Sequence, residues 1–241
     1  MNRDEQGIIG QIQPGNWIEG GDSACWMGHY IYLTGDAFPY VKTFEKGFGG
    51  YVRHPNIYAT PYGFGAYYKN PWNGCISRDQ LTGVLLALIK QKEYSAMIRL
   101  MLNHSLRLGW FAYNTIHNGT DPKTSKYKRP DITFMDIWAM ELRGFGKFSW
   151  IFYPLLCVLD LHLLLGAIYD KYFDNEDPDV INFIGRVILS REQVPTPTSW
   201  LATKFISKAN IIERLKTYWC TWRANPEFVP LFEKKLNEVI K

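Results

Sequence analysis

The sequence lacks the short motifs that mark several large enzyme classes. It contains no GxGxxG following a strand, no GxxxxGK[ST], no GxSxG and no HExxH. Each of these motifs is tied to a mechanism: binding a dinucleotide, cradling phosphates, raising a serine nucleophile or holding zinc. Rossmann dehydrogenases, P-loop NTPases, α/β-hydrolases and zincin proteases are therefore poor matches for this chain.

Cysteine is scarce, and positive charge is only slightly in excess. The four cysteines are far apart in the sequence and form no CxxC pair, which argues against a zinc module. We expect reduced, buried thiols and neither a metal nor a cofactor. The net charge is only +4, whereas a nucleic-acid-binding protein usually has a clustered basic stripe. We therefore expect no nucleic acid partner.

The sequence has few long apolar stretches. Residues 1–15 contain no run typical of a secretory signal, so we expect a cytoplasmic or virion-associated protein. Residues 148–169 are apolar and long enough to cross a bilayer, but Pro154, Asp160 and His162 lie near the middle. A central charge there costs roughly 3 kcal/mol. We favour a buried helix over a membrane span.

Hydrophobic spacing predicts an all-α fold. Leu81, Val84 and Leu88 lie three and four residues apart, which indicates an amphipathic helix, and Ser77 with Gln80 forms a capping-box pattern before it. By such signals we predict helices near residues 21–34, 81–89, 97–105, 132–143, 148–172, 178–191, 198–207, 210–223 and 227–240. Short turns between these helices suggest stacked antiparallel hairpins, forming a complete or partial α/α toroid.

Glycine, proline and aromatic residues concentrate towards the N-terminus. We interpret residues 1–241 as one helical domain that begins with an irregular lead-in over residues 1–20. The Gly, Pro and aromatic content of residues 35–76 predicts a long, ordered loop region rather than helices. Long loops in compact domains are commonly functional.

Two carboxylates are the leading catalytic candidates. Asp22 and Asp79 lie at predicted helix starts, and glycoside hydrolysis needs a pair of carboxylates: one protonates the leaving oxygen while the other attacks or activates water. His54 is a third catalytic candidate, for proton transfer. A structural alternative exists for both carboxylates, because Asp is also favoured as a cap or in the first turn of a helix.

Further residues could hold a substrate. An arginine can bind a substrate carboxylate through two hydrogen bonds, an aromatic ring can stack on a sugar, and a histidine can move a proton. For each aromatic residue, core packing is the alternative. The candidate substrate-binding residues are Trp26, His29, Tyr30, Arg53, Tyr62, Trp72 and Arg78.

Three segments carry a resemblance to known proteins. GGDSACWMGHY, YVRHP and SRDQLTGVLLAL, within residues 17–90, resemble the opening of helical-toroid proteins related to glycan-processing enzymes. They are also similar to uncharacterised bacterial and phage-encoded proteins with a GDS…RHP…SRDQ pattern. The resemblance implies an α/α toroid whose site lies at the end bearing Asp22, Arg53, His54, Arg78 and Asp79.

Three functions follow as hypotheses. The first is a carbohydrate-active enzyme, either a glycoside hydrolase or a polysaccharide lyase, acting on a glycan. The second is a non-catalytic structural or binding protein, for example a phage virion component within a larger complex, with the aromatic loop region as its interface. The third is a helical protein that associates with a membrane through residues 148–169.

Overall fold

The computed structural model describes residues 1–12, 18–19, 22–45, 48–55, 78–108, 134–173, 180–206, 208–217 and 225–240. These residues are mostly helical, as the hydrophobic spacing predicts. Gln11–Ile12 (β1) and Ile18–Glu19 (β2) pair in antiparallel fashion. The helices, in chain order, are α1 Ser23–Thr34, α2 Tyr40–Phe44, α3 Arg78–Gln91, α4 Tyr94–Leu108, α5 Phe134–Arg143, the 3-10 helix Gly146–Phe152, α6 Tyr153–Leu159, α7 Leu161–Phe173, α8 Val180–Gln193, α9 Pro197–Phe205, α10 Lys208–Lys216 and α11 Phe228–Val239.

Helices α1 and α3 touch through their backbones. A Cβ built on Gly28 would lie 1.9 Å from the carbonyl oxygen of Gly83, and a Cβ on Gly83 would lie 2.4 Å from the Cα of Cys25. Real Cβ atoms do not approach backbone atoms this closely. The two glycines therefore set the separation of the helices, and this crossing fixes where the first turns of α1 and α3 meet.

Helices α3 and α8 lie at the centre of the hydrophobic core. Helix α3 contacts α1, α4, α5 and α8, while α8 also contacts α5, α9, α10 and α11. Their fully buried residues include Val84 and Leu85 on α3 and Val187 and Ile188 on α8. Both helices thus have neighbours on several sides, which explains why their apolar residues are not confined to one narrow stripe.

The N-terminal lead-in belongs to this core. Ile8 and Ile9 are fully buried, and the segment is held to the start of α11 by Asn225. The Asn225 side chain accepts a hydrogen bond from the Asn2 backbone N–H at 2.7 Å and donates one to the Gly10 carbonyl at 2.9 Å. Residues from opposite ends of the sequence are therefore joined.

The predicted loop region contains a helix in the part that the structure describes. Tyr40–Phe44 form α2, contrary to the expectation of loop alone, and Glu45 pairs with Tyr51 in an isolated bridge. Tyr40, Phe44 and Tyr51 are buried, with Tyr40 and Phe44 ring centroids 4.7 Å apart. These aromatic residues pack in the core. Residues 56–77 lie outside the described residues.

The apolar run is not one continuous helix. It consists of the 3-10 helix, α6 and α7, with Asp160 in the turn between α6 and α7. Residues Gly146–Ile168 have the length and mean hydropathy, 2.0, of a candidate membrane span, and only 28% of that window is buried. The expectation of a buried helix therefore holds for one face only, and the opposite face is exposed.

Candidate functional site

The Asp22 carboxylate is directed away from its own helix. Asp22 occupies the N-cap position of α1, yet its side chain makes no capping hydrogen bond. Instead, Oδ1 accepts a hydrogen bond from Gln80 Nε2 at 2.6 Å and lies 3.8 Å from Arg53 Nη1. The Asp22 side chain is 29% exposed. The alternative in which this carboxylate serves only as a cap is therefore wrong.

The backbone of Arg53 takes over part of the capping of α1. The Ala24 N–H, one of the donors that the first turn of a helix leaves without an intrahelical acceptor, donates to the Arg53 carbonyl at 2.9 Å. The neighbouring Val52 N–H donates to the Phe44 carbonyl at 3.0 Å. Residues 51–55 are thus fixed across the start of α1, which places the Arg53 side chain beside Asp22.

His54 is paired with a carboxylate that the sequence interpretation did not select. His54 Nε2 lies 2.7 Å from Asp4 Oδ2, and both side chains are largely buried. Asp4 Oδ1 accepts hydrogen bonds from the backbone N–H groups of Gln6 and Ile8, so the turn of the lead-in holds the carboxylate in place. An imidazole oriented in this way is suited to proton transfer.

The start of α3 supplies the other side of the cluster. Gln80 is buried and its amide donates to Asp22, while Ser77, its partner in the predicted capping box, lies outside the described residues. Arg78 and Asp79 are the first two residues of α3, and their side chains lie outside the described part of the chain. We call Asp4, Asp22, Arg53, His54 and Gln80 the polar pole.

Three of the predicted substrate-binding residues, Trp26, His29 and Tyr30, lie in the part of the chain that the structure describes, and none of the three is fully exposed there. Trp26 and His29 are each 1% exposed, so neither side chain reaches solvent. Tyr30 is half-buried, with the Arg3 guanidinium 4.8 Å above its ring centroid and the Phe228 ring against it. These positions support core packing for the three side chains. Tyr62 and Trp72 lie outside the described residues.

His29 belongs to a buried cluster with Cys25 and Asn182. His29 Nδ1 lies 2.9 Å from the Cys25 carbonyl, and Cys25 Sγ donates to Asn182 Oδ1 at 3.3 Å. Sγ is 3.6 Å from His29 Nδ1, but in a neutral imidazole that nitrogen already donates to the carbonyl and so cannot accept the thiol proton. The arrangement resembles a cysteine–histidine dyad only in composition.

Burial lowers the pKa of His29 to about 4, since the protonated ring loses its hydration, and the nearby Arg186 charge acts in the same direction. In the unfolded chain the same group has a pKa of 6.5. Unfolding therefore takes up a proton between these values, and stability that is present above pH 6.5 is lost as the pH falls towards 4.

We expect the free energy of unfolding to fall by about 2 kcal/mol on this account between about pH 7 and about pH 4.5. Urea unfolding at both pH values measures the loss, and the His29→Gln variant should show a smaller loss. His162→Gln, made in parallel, controls for replacing a histidine. Equal pH dependence in the wild type and His29→Gln would contradict the assignment.

A separate depression of about 570 Å³ lies at the other end of α1 and α3. It is lined by residues 35–42 and by Lys90, Gln91 and Glu93. Gln91 fixes its floor by donating hydrogen bonds to the carbonyls of Asp36 and Phe38. None of the candidate site residues lines this depression, so the polar pole and the depression are different places.

Asp4 and Gln80 extend the set of candidate residues found by sequence. Nothing in the lead-in sequence distinguishes Asp4 from its neighbour Glu5, since its role depends on His54 lying fifty positions away. Gln80 could have been considered together with Asp22, because both lie at predicted helix starts. Among the described residues, no group of three or more His, Cys, Asp or Glu could hold a metal ion.

In comparisons with known proteins, no protein-family model, no curated protein and no solved structure matches the chain.

Proposed function

We propose that the polar pole binds a glycan and hydrolyses it, with Asp22 as one of two carboxylates. The observation that carries the proposal is the direction of the Asp22 side chain: it leaves its own helix end and meets Gln80 and Arg53 while keeping part of its surface exposed. A carboxylate oriented by one hydrogen bond and a nearby guanidinium is suited to attack an anomeric carbon or to activate water.

We assign the second carboxylate to Asp79. It precedes Gln80 at the start of α3, and Gln80 touches Asp22, so the chain brings the two aspartates to the same pole. The paired His54 and Asp4 add a second group that can move protons. In this scheme Asp79 protonates the leaving oxygen, and Arg53 and Arg78 bind polar groups of the substrate.

The finer fold prediction, an α/α toroid, is part of the same proposal. Helices α1, α3, α5, α8 and α11 contact one another in succession, and α11 contacts α1 again. This closed order of contacts supports a ring. Helices α3 and α8 also contact each other directly, across this order, so the toroid that we propose has a packed interior and its site at the pole.

Replacing Asp22 by Asn tests the proposal. The exchange keeps the size of the side chain and removes its charge, so we expect glycan turnover to fall about 100-fold or more while the melting temperature changes little. Release of reducing ends from a glycan library measures turnover. Ultraviolet absorbance of the products separates hydrolysis from a lyase reaction, which leaves a double bond.

Asp36→Asn is the matched control. Asp36 is also partly buried, and its Oδ1 accepts a hydrogen bond from the Phe38 N–H outside the polar pole. It should retain turnover. If the wild type processes no glycan, or if both variants lose turnover equally, the enzyme proposal fails, and the non-catalytic alternative, a structural or binding protein, takes its place.

A further inference from the structure

The apolar run presents a continuous hydrophobic stripe to solvent. Phe148 is 72% exposed, Ile151 74%, Val158 54% and Leu165 60%. Leu155 and Leu161 complete the stripe, so exposed residues recur every three or four positions, the spacing of one face of a helix. A row of large apolar side chains is unusual on the surface of a monomeric soluble protein and marks an interaction site.

Both faces of this segment carry apolar residues. The inward face packs Leu156, Leu159 and Leu163 into the protein and also carries Ser149 and Asp160, both fully buried. Ser149 donates to the Arg143 carbonyl at 3.0 Å, and Asp160 accepts two hydrogen bonds from the Arg143 guanidinium, at 2.9 and 2.7 Å. A helix on the surface of a soluble protein normally has a polar outer face. The outer face of this segment is apolar instead and is therefore suited to an apolar environment.

Helix α9 adds to the same side of the molecule. Thr198, in its first turn, donates to the Cys157 carbonyl of α6 at 3.1 Å, and α9 also contacts α7. Trp200 and Leu201 follow directly and are 47% and 40% exposed. We call this surface, formed by the exposed residues of 146–165 and of α9, the apolar face.

The charges on the apolar face have one sign. Among the exposed described residues of 146–168 and 197–205, the charged ones are Lys147 and Lys204. The Lys204 ammonium lies 4.7 Å above the Trp200 ring, and Trp150 stacks on Tyr153 with centroids 5.6 Å apart. Tryptophan, tyrosine and lysine beside large aliphatic residues are the composition of surfaces that lie at the boundary of a bilayer.

We propose that the apolar face binds the surface of an anionic lipid bilayer without crossing it. Lysines next to the aromatic residues attract anionic headgroups, while Phe148, Ile151 and Leu155 enter the acyl boundary. A second copy of the chain fits less well, because a symmetric contact brings the same lysines of both copies to one interface. The proposal is independent of the proposed hydrolysis, since the two surfaces share no residue.

Surface binding fits the segment better than a span does. A span would place Asp160 in the hydrocarbon, where an ionised carboxylate is costly. In the fold, Asp160 instead binds Arg143 of α5, and Ser190 of α8 also donates to it at 3.1 Å. These bonds hold the segment against the rest of the protein, so only its outer side chains are available to lipid.

Flotation of the full chain with vesicles tests the proposal. We expect binding to vesicles of phosphatidylcholine mixed with phosphatidylglycerol, weaker binding to phosphatidylcholine alone, and release by high salt. The affinity of the double variant Phe148→Ser/Ile151→Ser for these vesicles should be lower by a factor of about ten or more. The Lys147→Glu variant should lose the preference for anionic vesicles. Both apolar side chains are mostly exposed, so the double variant should fold.

Phe48→Ser is the matched control, since Phe48 is 59% exposed and belongs to neither segment of the apolar face, and it should bind vesicles like the wild type. Three results would overturn the proposal. They are equal vesicle binding by the double variant, a chain recoverable only in detergent, and a dimer in light scattering that the double variant abolishes while wild-type vesicle binding is absent.

Discussion

Gly83→Ala should destabilise the protein by about 3 kcal/mol or more, although alanine is normally the better helix former by about 1 kcal/mol. The added methyl group would meet the Cα, carbonyl carbon and carbonyl oxygen of Cys25, all within 2.8 Å. A rotated side chain cannot relieve a clash between backbones, so α1 and α3 must separate and leave the surrounding core poorly packed. Urea unfolding monitored by circular dichroism measures the loss.

Gly166→Ala on α7 is the control for this substitution. The atoms nearest to a Cβ at Gly166 belong to the half-buried ring of Phe183, the first at 2.9 Å, and a ring can turn aside more readily than a backbone can. The gain in helix propensity is the same in both variants. Gly166→Ala should therefore stay within about 1 kcal/mol of the wild type, and a loss equal to that of Gly83→Ala would contradict the backbone-contact argument.

The partner glycine gives a second check. Gly28→Ala should be destabilising for the same reason, since its Cβ would lie 1.9 Å from the Gly83 carbonyl oxygen. One separation of the helices accommodates both methyl groups, so the double variant should cost less than the sum of the two single variants. Strict additivity would mean that each clash is relieved independently, without movement of α1 relative to α3.

The close approach also shows which part of the fold sequence reasoning can predict. Helix positions depend on local hydrophobic spacing, and the run of apolar residues around Val84 and Leu88 was enough to place α3. Which glycine touches which helix depends on the crossing of α1 and α3, a long-range relation that no single segment encodes. Gly28 and Gly83 therefore looked like ordinary glycines in helical sequence.

For the candidate site, too, some features could be predicted from the sequence and others could not. The motifs around Asp22, Arg53 and Gln80 could be grouped from sequence, because each carries polar residues at a helix start or in a loop. Burial could not be predicted for Trp26, since an aromatic side chain suits a core and a binding surface equally well. Its 1% exposure results from packing that involves residues far along the chain.

The apolar run is helical as predicted, but it changes from a 3-10 helix to α6 and has a turn at Asp160 before α7. Local composition over residues 148–172 favours an uninterrupted helix, and only Asp160 and Pro154 oppose it. The partner of Asp160 is Arg143, seventeen positions earlier, and no local pattern pairs the two. Local spacing therefore predicted the helical character of the run but not the buried ion pair on its inner face.

Among single changes to charged groups, Arg143→Met should have the largest effect. The free energy of unfolding should fall by about 3–5 kcal/mol, and the melting temperature should fall by roughly 10 °C. The Arg143 and Asp160 side chains are 2% and 0% exposed. The Arg143 guanidinium also donates to Ser190 Oγ and to the Val194 carbonyl. Removing it leaves the Asp160 carboxylate buried without its countercharge. Differential scanning calorimetry measures the effect.

Two further variants isolate the cause. Lys216→Met removes an exposed ion pair with Glu213 and should change stability by less than about 1 kcal/mol. Arg143→Met/Asp160→Leu removes both buried charges and should recover part of the loss, because no uncompensated charge then remains. The Asp160→Leu single variant completes the comparison. If the double variant lost as much free energy of unfolding as the two single variants together, the loss would come from packing and not from the unpaired carboxylate.

The Arg143–Asp160 pair also holds the apolar run against the rest of the protein. Asp160 contacts side chains of α5 and α8 and the Thr196 hydroxyl at the start of α9, so one carboxylate ties the turn between α6 and α7 to three other elements. Without that anchor, the segment has the length and hydropathy to enter a bilayer. With the anchor, insertion would require breaking every one of these bonds. Arg143→Met/Asp160→Leu should therefore resist salt extraction from anionic vesicles, whereas the wild type should be released.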